Sequence, residues 1–356
     1  MGSLTALRRD GTATVVLVYA FLAALLLALL TILDLVFTLH AYPGGLLVLF
    51  PLAFLFLLLQ WYLGPAAVRR SLGDKIPVNP KTNPWLHGVV EETVRQAAVP
   101  MPQVWVVEDP NPNAFVFGRS LASSELVVTR GLLETLNQDE IRAVIAHEVG
   151  HLRHRDVILM TWVSAVPLLS YLVARVGFEV LRASGKGRSS KGKGQVLLVA
   201  FLIAAVSYTI YLVSQLLVRY LSRTREYYAD AYSAAATRDP HLLASALTKI
   251  SFGLSLVRNR AEPTGLRAFY IGDPVKAAND YHNLREKMAK YDIDRDGQLD
   301  RFELDKAVKD ERRFSWGRAN HLFATHPSTY DRILMLEEFE EEIVKGNLPA
   351  NIYAFI

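Results

Sequence analysis

Residues 137–154 read NQDEIRAVIAHEVGHLRH. Asn137 with Glu140 three residues on has the spacing of a capping box, so a helix is expected to begin there. Ile141, Val144, Ile145 and Val149 recur at helical spacing and give that helix an apolar face. His147-Glu148-Val149-Gly150-His151 lies mid-helix between these positions. Histidines four residues apart project from one face, so both imidazoles can bind one ion. Zinc suits nitrogen and oxygen ligands and leaves a position open for water. The metal lowers the pKa of that water toward ~7, and a neighbouring carboxylate, here Glu148, takes the proton during attack on a carbonyl. The bland alternative is a surface helix with two solvated histidines.

Such a site needs a third protein ligand. Glu226 is the candidate, with Asp230 one turn later on the same helix face. Glu226 can ligate while Asp230 orients a histidine ring from behind. The competing reading is a charged face just outside a membrane helix. His154, one turn beyond His151, competes as a ligand, but three ligands on one short helix would leave the ion exposed.

Composition narrows the setting. The chain has 356 residues, of which 51% are hydrophobic, and it has no cysteine. Thiolate metal sites and disulfides are thereby excluded. The net charge of +4 is mild, and no dense basic stripe interleaved with aromatics suggests nucleic acid as a partner. The apolar excess sits in long runs at 12–42, 46–63, 157–181 and 196–221. Each is about long enough to cross a ~30 Å hydrocarbon core, so four spans in contact with membrane lipid are expected. Arg8, Arg9, Arg69, Arg70 and Lys75 flank the first hairpin on one side. The positive-inside rule then puts the catalytic side of a multi-pass cell-membrane protein in the cytoplasm. The basic loop at 182–194 runs against this orientation.

Between the membrane pairs the pattern changes. Gln103–Asp109 (QVWVVED) and Glu125–Thr129 (ELVVT) are rich in β-branched residues and read as strands. The expected organisation is a tail at 1–11, a hairpin at 12–65 and a subdomain with the HExxH helix at 66–156. A second helix pair at 157–222 and a C-terminal helical part at 223–356 follow. The fold class expected is mainly α with a small β-sheet: a zincin-like metallopeptidase domain attached to four transmembrane helices.

HEVGH, then SRTREYYADAYSAA, then LFATHPSTYDRI, with NPNAFVFG upstream, closely resemble the HtpX-type membrane zinc metallopeptidases. These are relatives of the CAAX prenyl proteases and of mitochondrial quality-control peptidases. The resemblance covers most of the chain. It implies that His147, His151 and Glu226 hold zinc, that Glu148 is the general base and that Asp230 is the carboxylate behind a ligand. It implies that His326 and Arg332 serve the oxyanion side, where a donor strengthens only in the transition state. On their own, His326 reads as a helix cap before a proline and Arg332 as a surface charge. Asn113, Ala114, Phe115, Val116, Phe117 and Gly118 resemble the family's substrate-side edge strand, to which an extended peptide can add. The period-two phenylalanines fit a plain core strand equally well. The substrates implied are unfolded or damaged membrane proteins in quality control.

One segment departs from that family. Residues 292–303, DIDRDGQLDRFE, fit a twelve-residue calcium loop. Asp292, Asp294, Asp296, Gln298, Asp300 and Glu303 are its candidate ligand positions, with Gly297 at the sharp turn. The loop lies in an insertion spanning 275–318, between Glu226 and His326, where calcium is expected to order the approach to His326 and Arg332. Two other functions compete with general proteolysis. One is specific processing of a single membrane-linked or prenylated substrate. The other is a calcium-responsive membrane scaffold with a structural metal site, against which the intact Glu148 argues.

Overall fold

The computed structural model describes residues 20, 45–163, 165–184, 193–256, 327 and 329–346. These are mainly helical, with one small mixed sheet. In chain order they are α1 (Gly45–Ser71), β1 (Lys75–Pro77), α2 (Pro84–Ala97), β2 (Gln103–Val107), β3 (Ala114–Phe117) and β4 (Glu125–Thr129). Then come α3 (Arg130–Thr135), α4 (Gln138–Arg153), α5 (Asp156–Val163), α6 (Ala165–Ser184), α7 (Lys193–Thr237), α8 (Pro240–Leu256) and α9 (Thr329–Val344). The chain divides into two compact units. Of the described residues, one unit holds Ala67–Val157 and those from Ser222 onward; the other holds Ile158–Leu221 and those up to Ala66.

The sheet of the first unit has the order β1-β2-β4-β3. β2 and β4 run parallel, pairing Gln103 with Glu125 through Val107 with Thr129. β3 is antiparallel to β4, pairing Ala114 with Val128 and Phe117 with Glu125. Side chains alternate between the faces of a strand, and the burial follows that rule. Val104, Val106, Ala114, Val116, Leu126 and Val128 enter the large core. Val107, Phe115, Phe117 and Val127 form a second cluster, with Trp105, with Val68 near the end of α1 and with Leu72 just beyond it. A buried Glu125 accepts from Arg69 and from Trp105 Nε1, fixing that end of α1 to the sheet.

The large core is built from α2, α4, α8 and α9 against one sheet face. α4 starts where its sequence signal lies. Asn137 Oδ1 accepts from the N–H of Glu140, and Glu140 Oε2 accepts from the N–H of Asn137, both at 2.9 Å. The Glu140 carboxylate also takes bonds from Ser245 Oγ and Lys249 Nζ, which ties the start of α4 to α8.

In the second unit, α6 and α7 pack closely. A Cβ on Gly177 would stand 2.9 Å from the Cβ of Ala204, so only glycine allows this approach. Val163, Val166, Val218 and Leu221 form a cluster of their own. Val176, Phe178, Leu198, Phe201, Leu202 and Leu212 are exposed. Among the described residues one helix, Leu197–Thr237, is long and apolar enough to cross a membrane by length and composition. All of the expected first run at 12–42 except residue 20, and most of the basic loop, lie outside the described residues.

Candidate active site

Two helices carry the expected ligands. His147, Glu148 and His151 lie on α4, and Glu226 and Asp230 on α7. Gly150 lets these helices meet, since its missing Cβ would sit 3.2 Å from the Cα of Ala229 and 3.1 Å from the Cβ of Tyr232. Nearby, Ser233 Oγ donates to the carbonyl of Ala143 at 2.7 Å.

His147, His151 and Glu226 form one group whose ligand atoms all lie within 4.8 Å of one another. The two Nε2 atoms are 3.2 Å apart. Glu226 Oε2 lies 3.6 Å from His147 Nε2, and Oε1 lies 3.8 Å from His151 Nε2. Tetrahedral zinc with bonds of ~2.0–2.1 Å puts its ligand atoms about 3.3 Å apart. The donor set and its spacing therefore fit that ion. The sequence alternative of solvated histidines fails here, because His147 is 1% exposed.

Each histidine of this group has a carboxylate behind it. His147 Nδ1 lies 2.9 Å from Asp230 Oδ1. His151 Nδ1 lies 2.8 Å from Asp156 Oδ2. A bond at Nδ1 fixes the ring and leaves Nε2 turned toward the other members of the group. Asp230 is itself held by Arg332, which donates from Nε to Oδ2 at 2.8 Å and from Nη2 to Oδ1 at 2.6 Å. Arg332 Nη1 also reaches Glu226 Oε2 at 3.4 Å. Arg332 is 1% exposed. Read alone as a surface charge, it is instead a buried partner of the ligand helix.

Residues 80–340 match the family model for peptidase family M48. The chain belongs to this family. It is therefore a protease, and its relatives are HtpX-type. A "Protease HtpX homolog" of Methanothermobacter thermautotrophicus is 38% identical over 250 residues, 70% of this chain and 88% of that protein. One of Moorella thermoacetica is 36% identical over 214 residues, 60% of this chain and 70% of that protein. The crystal structure of S. mikatae Ste24p aligns with 90% of this chain and 63% of its own, at 18% identity and a TM-score of 0.47.

The electrostatics of the M48 site are those of charges packed away from water. Burial and Arg332 oppose protonation of His147, but bonds to Asp230 and Glu226 outweigh them and raise its pKa to about 9. A metal that binds there must displace this proton. Burial, the largest effect on Glu148, raises its carboxyl above the ordinary value, while His147 and His151 pull the other way. Burial opposes the charge on Arg332, yet Asp230 more than offsets it and raises the pKa.

Of the other expected site residues, His154 stands apart from the M48 ligand group. It is the C-cap residue of α4, its ring set edge-on against Tyr228 and Tyr232. Burial lowers its pKa to about 4. Among the described residues β3 is one of the two edge strands of the sheet, with β1 at the other edge, and α4 lies alongside β3. Asn113 N donates to Thr129 Oγ1 and Thr129 N to the Asn113 carbonyl, just before the strand begins, and Gly118 follows it. His326 and the whole loop at 292–303 lie outside the described residues. The sequence reading missed Asp156 and Arg225. Asp156 is five residues past His151, a spacing with no helical meaning, and joins it only because the chain turns back at Arg155.

Proposed function

We propose that the chain is a membrane-anchored zinc endopeptidase that cleaves peptide bonds of unfolded or damaged membrane proteins. The observation that carries this reading is the convergence of His147 Nε2, His151 Nε2 and the Glu226 carboxylate, with Glu148 buried beside the first ligand. Bound there, zinc supplies a Lewis acid for the scissile carbonyl and lowers the pKa of water. Glu148 accepts the proton of the attacking water and returns it to the leaving nitrogen. A carboxyl raised by burial suits both steps. Asp230 holds the His147 ring in register, and Arg332 holds Asp230. His326 and Arg332 are assigned to the oxyanion side, and the family resemblance is the support for that role.

Substrate is proposed to dock on β3. In an antiparallel pair, alternate residues turn their N–H and C=O away from the partner strand. The bond from Thr129 N to the Asn113 carbonyl sets the phase. Asn113, Phe115 and Phe117 then face β4, and Ala114 and Val116 present their backbone groups outward. An extended peptide can pair with that edge while its side chains vary, which suits unfolded substrates.

The membrane reading is supported by the long apolar helix and by the exposed apolar side chains of α6 and α7. Four spans with the catalytic side in the cytoplasm are the topology proposed, on the apolar runs and the charges flanking the first hairpin. The loop at 292–303 is proposed to bind calcium, and its residue pattern is the support. Saturating calcium should then raise thermal stability or activity of the full chain in detergent, and no change in either would remove the proposal.

The main test uses purified full-length protein. The wild type should carry one zinc per chain and degrade a casein-type unfolded substrate. Glu226→Ala should lose the metal. Glu148→Ala should keep the metal and lose cleavage by about 10²–10⁴-fold. Cleavage unchanged in Glu148→Ala would falsify the mechanism.

A further inference from the structure

We propose that Asp156 and Arg225 form a positioning pair for His151, as Asp230 and Arg332 do for His147. The inference rests on His151 being a zinc ligand and adds residues to that site.

An imidazole can offer either nitrogen, and the hydrogen bond made by one decides which is left for the metal. Asp156 Oδ2 lies 2.8 Å from His151 Nδ1, and the other ring nitrogen then faces His147. The clamp matters more here than at His147. His151 is in the last turn of α4, and its side chain is 14% exposed, against 2% for His147. A ring in the last turn of a helix, partly exposed, has more freedom to turn away from the ion.

The backbone is bent to deliver this carboxylate. α4 ends at Arg153, His154 caps it, and Arg155 takes a left-handed φ of 58°. That conformation is uncommon for a long side chain and persists where the surroundings over-determine it. Its result is that Asp156, which opens α5, lies against the His151 ring and is buried.

Arg225 completes the arrangement from the other ligand helix. It precedes Glu226 directly. Its Nε donates to Asp156 Oδ1, the oxygen that His151 leaves unused. Its Nη2 donates to the carbonyl of His154 at 3.3 Å. Its guanidinium carbon lies 5.0 Å over the Tyr228 ring. One side chain thus ties α7, beside the third ligand, to both the carboxylate and the turn that presents it.

Bracing the turn without serving the metal site predicts different outcomes, and the experiment separates the two roles. Zinc affinity of the full chain in detergent is measured by competition with a chelator. The visible absorption of the cobalt-substituted protein reports ligand geometry. Asp156→Ala should weaken zinc by about 10–100-fold and change the cobalt bands. Asp156→Asn keeps an acceptor for the Nδ1–H and should lose less, about 3–10-fold. Arg225→Met should fall near Asp156→Asn. Wild-type affinity and cobalt bands in Asp156→Ala, with only its melting temperature lowered, would overturn the inference. Should Asp156→Ala fail to fold, unchanged values in both Asp156→Asn and Arg225→Met would overturn it equally. If the wild type itself binds no zinc, the ligand assignment falls and this inference with it. A zinc-loaded wild type with unaffected variants sinks this inference alone.

Discussion

Gly150 lies so close to Ala229 that a Cβ on the glycine would stand 3.2 Å from the alanine Cα. This contact joins the helix of His147 and His151 to the helix of Glu226 and Asp230. Helices usually pack with axes about 8–10 Å apart, and small residues at the crossing set the lower end of that range. Gly150→Ala has two opposed effects on stability. Alanine gains about 1 kcal/mol of helix propensity. Overpacking costs about 1–3 kcal/mol. The net change in a denaturant melt should therefore be a loss of at most about 2 kcal/mol. The proposed zinc ligands lie on these two helices, and the few tenths of an ångström that Ala229 and Tyr232 must give should shift them apart. Zinc affinity should drop by about tenfold, on the order of 1.4 kcal/mol. Chelator competition measures this, and an unchanged affinity would show that the glycine is not what sets the ligand spacing.

Arg332 and Asp230 are 1% and 0% exposed, so neither charge can be left alone cheaply. Removing one partner of such a pair costs about 3–5 kcal/mol, mainly because the other stays buried and unpaired. Arg332→Met should destabilise by that amount. Combining it with Asp230→Leu should recover part of the loss, since the Asp230 carboxylate is no longer buried without its arginine, while Glu226 and His147 stay buried in both variants. The cycle is read by chemical denaturation of the metal-free protein. Strictly additive losses would contradict a coupled pair.

These contacts also show what the sequence could convey. Local signals were readable. Asn137 and Glu140 announced the start of α4, and Glu125–Thr129 forms the strand its β-branched residues suggest. The pairing of His147 with His151, and of Glu226 with Asp230, follows from helical spacing within one element. What failed to show were relations between elements. Arg332 looks like any charge on a polar helix until α9 is placed against the site. Gly150 reads as a weak helix residue until α7 is beside it. Asp156 needs a left-handed residue at Arg155, which no spacing rule would suggest.

Glu140 makes the anchoring of α4 sensitive to acid. Burial would raise its pKa, but Lys249, Ser245 and the Asn137 N–H together hold it below the ordinary 4.5. A group with a depressed folded pKa contributes stability that is complete above its unfolded value. That stability is lost as pH falls through the lower folded value. Glu140→Gln should therefore be less stable than the wild type at pH 7, by about 1–2 kcal/mol for the weakened bonds. The gap should close on acidification below pH 4.5, the ordinary value. Denaturation curves of both proteins between neutral and acid pH give the difference. A gap that stays constant down to the acid end would mean that the charge of Glu140 is not the source.

The edge strand offers a test in which two neighbouring residues should behave in opposite ways. The N–H of Phe115 points toward β4, as the register with Val127 and the bond at Asn113 require. The N–H of Val116 points outward. Proline removes an N–H and is tolerated in a sheet only where that N–H faces away from a partner strand. Phe115→Pro should break the pairing with β4, and it also removes an aromatic ring from the cluster around Val127 and Trp105. It should be strongly destabilising. Val116→Pro keeps the ladder and much of the apolar volume, so the fold should survive. What it loses is one donor for an incoming peptide. The expected signature is a raised KM, with kcat/KM lower by about fivefold, the worth of one hydrogen bond of ~1 kcal/mol. Zinc content should not change. A Val116→Pro protein that is folded and zinc-loaded, with wild-type kcat/KM on an unfolded substrate, would remove β3 as the docking edge while leaving the metal site assignment intact.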